Sequence, residues 1–261
     1  MIIRMKKKKL YITFFLVIFF SIIFLSSKSY RYVGINGSIN KIEISNFKKI
    51  SEFYKRHLNY KELVKKIIYN SKNENEEIID LTTWVYKNIK KISKKDDIID
   101  IHPWTIVERK LGLSDQFSDI LSVLLVHNNI DSFFIRKFTN IIHPITFFKY
   151  DNQWSIIDPY YGIYFINDKN SFATIEENKN GSLDMQHLTL GKVTTKNLDT
   201  IFFDKNFKNI KELNYYFNNL FLEIPSSKII NEKNKYKRGG RSYIQKPIHR
   251  ILEQLRRFFN I

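Results

Sequence analysis

The sequence predicts an α+β domain preceded by a transmembrane helix. Three features predict it: an apolar segment near the N-terminus, an amphipathic helical pattern that begins at Ser114, and three strand-like runs after that helix. A chain of 261 residues, 43% of them hydrophobic, is long enough for one sizeable domain with appendages. A helix followed by a strand and a hairpin favours an α+β core, in which the helix packs on an antiparallel sheet.

The N-terminal segment combines basic and apolar residues. Arg4 and the four lysines from Lys6 to Lys9 precede an apolar run from Leu10 to Leu25. This run of about 16 residues is slightly shorter than the roughly 20 that span a bilayer. Positive charge before the run predicts a cytoplasmic N-terminus. We therefore expect residues 1–27 to form a basic flank and a signal-anchor helix in the inner membrane, with a periplasmic domain; the alternative is a cleaved signal peptide.

The basic residues are concentrated at the two ends of the chain. The net charge is +17, of which about +5 lies in the N-terminal cluster and about +7 in residues 231–261, so the body carries about +5. This distribution does not favour a nucleic-acid-binding face. We expect the basic tail to contact anionic lipid or polysaccharide instead.

The remaining chain divides into a linker, a domain and a tail. Residues 28–50 show weak periodicity and indicate a linker, residues 51–225 the domain, and residues 226–261 a basic tail with a short amphipathic helix. Within the domain we expect helices over 52–70, 74–92 and 207–222, and irregular structure over 168–200.

The middle of the domain has the clearest pattern. Gly112 interrupts the chain, and apolar residues then recur at helical spacing up to Asn128-Asn129: Phe117, Ile120, Leu121, Leu124 and Leu125. Strand-like runs follow over Ser132 to Phe138, His143 to Tyr150 and Gln153 to Asp158, with Gly162 to Ile166 as a short further strand. Asp151-Asn152 is typical of a tight hairpin turn.

Ser114, His143 and Asp158 stand where these elements begin or end. A nucleophile at a helix N-terminus lies beside backbone N–H groups that stabilise an oxyanion. A histidine on the adjacent strand can accept its proton, and an aspartate on the next strand can orient the imidazole. Each residue also has a structural interpretation: Ser114 as an N-cap, His143 as an ordinary strand residue and Asp158 as a turn residue before Pro159.

The segment from Gly112 to Ser118 resembles the nucleophile motif of bacterial transglutaminase-like proteins, in which a glycine precedes the nucleophilic cysteine by two residues. His143 resembles the histidine block of this family, and the run from Trp154 to Pro159 resembles its W-x-x-x-D-P block. The resemblance extends over about residues 74–162. It implies a papain-like fold and a catalytic triad at Ser114, His143 and Asp158.

The chain departs from this family at the nucleophile, because Ser114 replaces the cysteine and the chain contains no cysteine at all. A thiol is readily held as a thiolate, whereas a serine hydroxyl needs concerted removal of its proton by a base. We therefore expect a non-catalytic domain that binds a peptide, a glycan or a protein. The alternatives are a serine-dependent acyl transferase or amidase, and an envelope protein whose anchor and tail dominate its function.

Two further residues are candidates for lining the cleft. Trp104 lies ten residues before Ser114, and Gln116 lies in the first turn of the helix. Each also has a structural interpretation, as a packing tryptophan and a solvated glutamine. We expect no cofactor, because the chain has no phosphate-binding glycine loop, and no metal site, because its six histidines show no ligand spacing.

Overall fold

The structure, a computed structural model, describes residues 2–35, 38–92, 102–135, 144–181, 184–194, 196, 198–200, 207 and 209–230. The chain forms two compact units. The first contains Met1–Asn59 and Ile98–His102, and the second contains Tyr60–Asp97 and Pro103–Ile261. The predicted basic tail over residues 231–261 lies outside the described residues.

The first unit contains a long helix and a hairpin. Helix α1 spans Ile2–Ser26, strand β1 spans Lys28–Ile35, strand β2 spans Ser38–Ser45, and α2 starts at Asn46 and ends at Ile67. The strands pair antiparallel, with Lys28 opposite Ser45. Residues 28–50, which were predicted to be a linker, contain this hairpin and the first residues of α2.

The N-terminal segment is helical, as predicted. Within the part of the chain that the structure describes, however, no helix is both long enough and apolar enough to cross a membrane. The predicted transmembrane helix is thus not found among the described residues.

Helix α3 of the second unit begins at a side chain that caps it. α3 spans Glu74–Asn88, and the side chain of Asn73 accepts a hydrogen bond from the Glu76 N–H at 3.0 Å. Next come β3 (Lys90–Lys91), α4 (Pro103–Arg109), β4 (Leu111–Gly112) and α5 (Ser114–His127). β3 and β4 pair in parallel. The prediction of a helix from Ser114 to the asparagine pair is confirmed.

The main sheet has six antiparallel strands. They are β5 (Ser132–Ile135), β6 (Ile145–Tyr150), β7 (Gln153–Asp158), β8 (Ile163–Ile166), β9 (Asp184–His187) and β10 (Gly191–Lys192). Their order in the sheet is β10-β9-β8-β7-β6-β5. Asp151 and Asn152 have positive φ of 47° and 61°, as the predicted tight turn between β6 and β7 requires. The α+β prediction is confirmed.

The segment predicted to be irregular, 168–200, contains structure instead. It forms α6 (Ile175–Asn180), β9, β10 and a 3-10 turn (Leu198–Thr200). Thr174 and Glu177 form a capping box at the start of α6. The prediction failed because these elements are too short for a periodic pattern. α7 follows over Ile210–Glu223, close to the predicted helix, and starts at the capping side chain of Asn209.

The core of the second unit lies between α5 and the sheet. α5 buries ten residues, and its contacts are mainly with β5, β6, α3 and α4. Phe133 stacks on Phe147 at 4.8 Å and meets the edge of Trp154 at 5.0 Å. These ring contacts join β5, β6 and β7 within the sheet, and the contacts of α5 with β5 and β6 fix the position of the helix and of its N-terminus.

Candidate functional site

Ser114 is the first residue of α5, but it does not cap that helix. The N-cap position is Leu113, which makes no side-chain cap, and the Leu113 N–H donates to Gln116 Oε1 at 3.0 Å. The expectation that Ser114 is an N-cap serine is therefore wrong. Its side chain is half-buried. Since the helix end is capped by Gln116, the Ser114 hydroxyl is not required for capping and is available for another role.

Gln116 is a buried structural residue. Its exposed fraction is 4%, and its Oε1 accepts a second hydrogen bond from Arg109 Nη2 at 3.1 Å. A side chain held in this way closes the start of the helix, so the structure places Gln116 in a capping role. A glutamine at the third position of a helix is the sequence signal for this arrangement.

Trp104 belongs to a cluster of rings. Its indole N–H donates to Glu108 Oε1 at 2.6 Å, and its ring meets the Tyr60 ring edge-on at 4.9 Å. Tyr60 also contacts His127 at 4.8 Å. Through Tyr60, Trp104 is connected to His127 at the C-terminal end of α5, whereas Ser114 lies at the N-terminal end of this helix.

Asp158 closes β7 and is 1% exposed. Its Oδ1 accepts hydrogen bonds from the N–H groups of Tyr160 at 2.9 Å and Tyr161 at 3.0 Å. Its Oδ2 is also buried and has no hydrogen-bond partner among the described residues. Burial raises the pKa of Asp158 to about 6, although the two N–H donors and Lys91 oppose this rise.

His143 lies outside the described residues, so the structure places only the chain beside it. Strand β6 begins at Ile145, and the carbonyl of Pro144 accepts a hydrogen bond from Ser118 Oγ at 2.6 Å. Ser118 lies one helical turn after Ser114. The residue that follows His143 is thus fixed against the first turns of α5.

The structure also shows a residue that sequence reasoning missed. His187 ends β9 and is 2% exposed. Asp158 pairs with Ile163, and Ile163 pairs with His187, so the three residues are neighbours across β7, β8 and β9. Directly opposite residues of an antiparallel sheet point to the same face. The alternation Asp184-Met185-Gln186-His187 was the available signal, but four residues are too few to reveal a strand.

No family model matches the chain, and no curated protein matches it. Part of the chain is weakly similar to two solved structures. One is described as "a Putative Cysteine Protease from Cytophaga hutchinsonii" (16% identity, 40% of this chain, 37% of that chain, TM-score 0.35). The other is described as "a TGase" (13% identity, 51% and 43% of the chains, TM-score 0.33). The chain spans about two fifths of the length of these structures, and a similarity of this size assigns no activity to it.

Proposed function

We propose that the chain is a cell-envelope protein with a transglutaminase-like site that binds a peptide, a glycan or a protein without catalysis. The position of Ser114 carries this proposal. Its hydroxyl stands at the start of α5, free of any capping role, where the resemblance places a cysteine nucleophile. A chain without cysteine cannot form the thiolate that such a site uses.

The start of α5 has the chemistry of a binding site. The first N–H groups of a helix have no acceptor within that helix, and they favour a carbonyl or carboxylate oxygen from a ligand. Ser114 supplies a hydroxyl at the same place. We therefore expect the ligand to present an oxygen atom, as the main chain of a peptide or the hydroxyl groups of a glycan do.

Three variants test this binding. The probes are defined short peptides and glycan fragments, titrated into the full-length chain. Ser114→Trp is expected to abolish binding by filling the site, whereas Ser114→Ala is expected to retain it. Ser122→Ala is the matched control, because Ser122 lies on the same helix and its Oγ donates to the Asp119 carbonyl at 2.9 Å. Equal binding by Ser114→Trp and the unmodified chain would exclude this site.

A second candidate function is serine-dependent acyl transfer or amide hydrolysis. The Oδ2 of Asp158 favours it, because this atom has no hydrogen-bond partner within the described part of the chain and an imidazole N–H is the partner that a triad would supply. The bond between Ser118 and Pro144 also favours it, since it fixes the chain next to His143 one turn from Ser114. In this candidate, His143 removes the proton of Ser114 while Asp158 orients the imidazole.

A fluorophosphonate probe separates the two candidates. The binding proposal predicts no adduct on a folded chain. The acyl-transfer candidate predicts an adduct that maps to Ser114 and disappears in both Ser114→Ala and His143→Ala, but persists in Ser122→Ala. Such an adduct would overturn the proposal of a non-catalytic site.

The proposed location is the outer face of the cytoplasmic membrane. Residues 1–27 would direct the domain there, either by remaining attached or as a cleaved signal peptide; the basic run before the apolar residues of α1 supports this. Cells that express the full chain should yield a domain that external protease digests after the outer layers are opened. A chain that lacks residues 1–27 should remain protected, and equal digestion of both would contradict the location.

The basic tail is proposed to contact anionic lipid or polysaccharide. The nine Lys and Arg residues of 231–261 outnumber two Glu in this segment, which supports electrostatic attraction to an anionic surface. Removal of residues 231–261 should weaken binding to vesicles with anionic lipid or to an acidic polysaccharide, with neutral vesicles as the control. Unchanged binding would show that the tail does not contact these anionic surfaces.

A further inference from the structure

Lys91 lies on the short strand β3, which pairs with the strand that leads into Ser114. β3 and β4 pair in parallel with Lys91 opposite Gly112, and the Ile92 N–H donates to the Gly112 carbonyl at 3.2 Å. Gly112 precedes Ser114 by two residues. A Cβ at Gly112 would lie 3.0 Å from the side chain of Ile89, so β4 packs closely on the residue that precedes β3. The backbone of Lys91 is thus fixed relative to the start of α5.

The side chain of Lys91 extends over the turn that holds Asp158. Its ammonium nitrogen lies 4.5 Å from the centre of the Tyr160 ring, 5.5 Å from that of Tyr86 and 5.7 Å from that of Tyr161. Such distances allow cation–π attraction. The N–H groups of Tyr160 and Tyr161 are the two donors to Asp158 Oδ1. Lys91 therefore packs on the residues that bind the carboxylate.

His187 lies on the other side of the same cluster. Its Nδ1 accepts from the Thr189 N–H at 3.3 Å, which leaves the proton of the neutral ring on Nε2. Its ring meets that of Tyr86 edge-on at 5.4 Å. Burial lowers the pKa of His187 to about 4, and the positive charge of Lys91 acts in the same direction. His187 is therefore neutral at neutral pH and does not balance the charge of Asp158.

We propose that Lys91 is a positioning residue that keeps Asp158 in its carboxylate form and holds the turn of Tyr160 and Tyr161 against β3. This role connects the strand pair that leads into Ser114 with the strand end that carries Asp158. The inference rests on the proposed site at Ser114 and deepens it, by identifying the residue that sets the charge within that site.

The charge of Lys91 matters because Asp158 is buried. Among the described residues, the titratable groups of this cluster are Lys91 from β3, Tyr86 from α3, His187 from β9, and Tyr160 and Tyr161 from the turn. Lys91 is the cation of this set at neutral pH. Without it, burial favours the neutral acid, and a neutral acid is a weaker acceptor for an imidazole N–H than a carboxylate is.

Replacement of the ammonium group tests the role. Lys91→Met retains most of the side-chain stem and removes the charge, whereas Lys91→Arg retains the charge. Lys90→Met is the matched control, because Lys90 is the exposed neighbour on the same strand. Each full-length chain is solubilised in a non-ionic detergent, and its His187 and Asp158 side chains are titrated by NMR. In Lys91→Met we expect the pKa of His187 to rise toward its ordinary value and that of Asp158 to rise above about 6. Lys91→Arg and Lys90→Met should titrate like the unmodified chain.

Unchanged titration of both groups in a folded Lys91→Met chain would overturn the proposal, and so would an equal change in Lys90→Met. If Lys91→Met does not fold, the unmodified chain provides the test. The side-chain resonances of Lys91 should then show a titration step near pH 6 that comes from Asp158, and the absence of this step would overturn the proposal. Neither readout depends on ligand binding or on reactivity of Ser114, so failure here differs from failure of the proposed function.

Discussion

The two ends of α5 differ in how far their polar groups are satisfied. At the C-terminal end, His127 Nδ1 lies 2.7 Å from the Val123 carbonyl, and the Asn128 amide donates to Glu77 Oε2 at 2.8 Å. At the N-terminal end, the Ser114 hydroxyl has no capping role. The ring of Tyr160 meets that of Phe117 in the first turn of α5 at 5.2 Å, and Asp158, which accepts from the Tyr160 N–H, keeps a buried carboxylate oxygen without a partner among the described residues. The polar groups at the C-terminal end of α5 thus stabilise the fold, whereas those at its N-terminal end are not required for it.

This contrast supports the proposal that the N-terminal end of α5 is a functional site. Native proteins rarely leave buried polar atoms unsatisfied, and those that remain are often functional. A buried carboxylate with a raised pKa costs stability at neutral pH. Residues that reduce stability in this way are expected at sites where activity or binding depends on them.

The largest expected loss of stability is at the C-terminal end of α5. Tyr60→Ala removes a ring that contacts both Trp104 and His127, and large-to-small changes of aromatic core residues cost about 3 to 5 kcal/mol. Urea unfolding should show a loss of this size. A loss below about 1 kcal/mol would contradict the view that this end stabilises the fold.

The next effect concerns the charge of Asp158. Because the folded-state pKa is raised from 3.8 to about 6, protonation of Asp158 contributes stability that is fully present below pH 3.8 and is lost as the pH rises through about 6. Asp158→Asn keeps an oxygen for the two N–H donors and removes the charge. It should stabilise the fold by up to about 3 kcal/mol at pH 7.5.

Urea unfolding of Asp158→Asn and the unmodified chain at pH 4.5 and pH 7.5 measures this gain. The difference between the two chains should grow with pH. The pKa of His187 is lowered, so the stability that its neutral ring contributes is lost as the pH falls through about 4. Both chains lose this stability equally, so it cancels in the difference between them. A difference that does not depend on pH would show that Asp158 is not destabilised by its charge.

A smaller effect is expected at Gln116. Gln116→Ala removes the acceptor for the Leu113 N–H and for Arg109, and the loss of a helix cap costs about 1 kcal/mol. Thermal unfolding should show the loss in the free energy of unfolding, with Gln153→Ala as an exposed control. If Gln116→Ala is as stable as the unmodified chain, Gln116 does not cap α5, and Ser114 becomes the candidate for that role.

The sequence predicted most of the fold around the site. The helix from Ser114, the strand from Gln153 to Asp158 and the positive-φ turn between β6 and β7 all have a strong local pattern, and all three are confirmed. The prediction failed for β1, β2, α6 and β9. These elements are short or follow weak patterns, and long-range pairing determines them: β9, for example, exists because it pairs with β8.

The site itself stays a prediction. The structure places Ser114 and Asp158 at the ends of α5 and β7, as the sequence predicted, but it does not test their roles, and His143 lies outside the described residues. Lys91 and His187 could not be found from sequence, because each reaches Asp158 through contacts between elements that lie far apart in the chain. The low pKa of His187 depends on burial, which no local pattern reports.

The most direct test of the central claim compares Ser114 with its neighbour one turn away. Ser118 donates a buried hydrogen bond to the Pro144 carbonyl, so Ser118→Ala should reduce the free energy of unfolding by about 1 to 3 kcal/mol. Ser114→Ala should change it by less than about 0.5 kcal/mol, as at positions without a structural role. A loss of 1 kcal/mol or more in Ser114→Ala, about the size expected for a helix cap, would show that Ser114 is structural and would contradict the assignment of this end of α5 as a site.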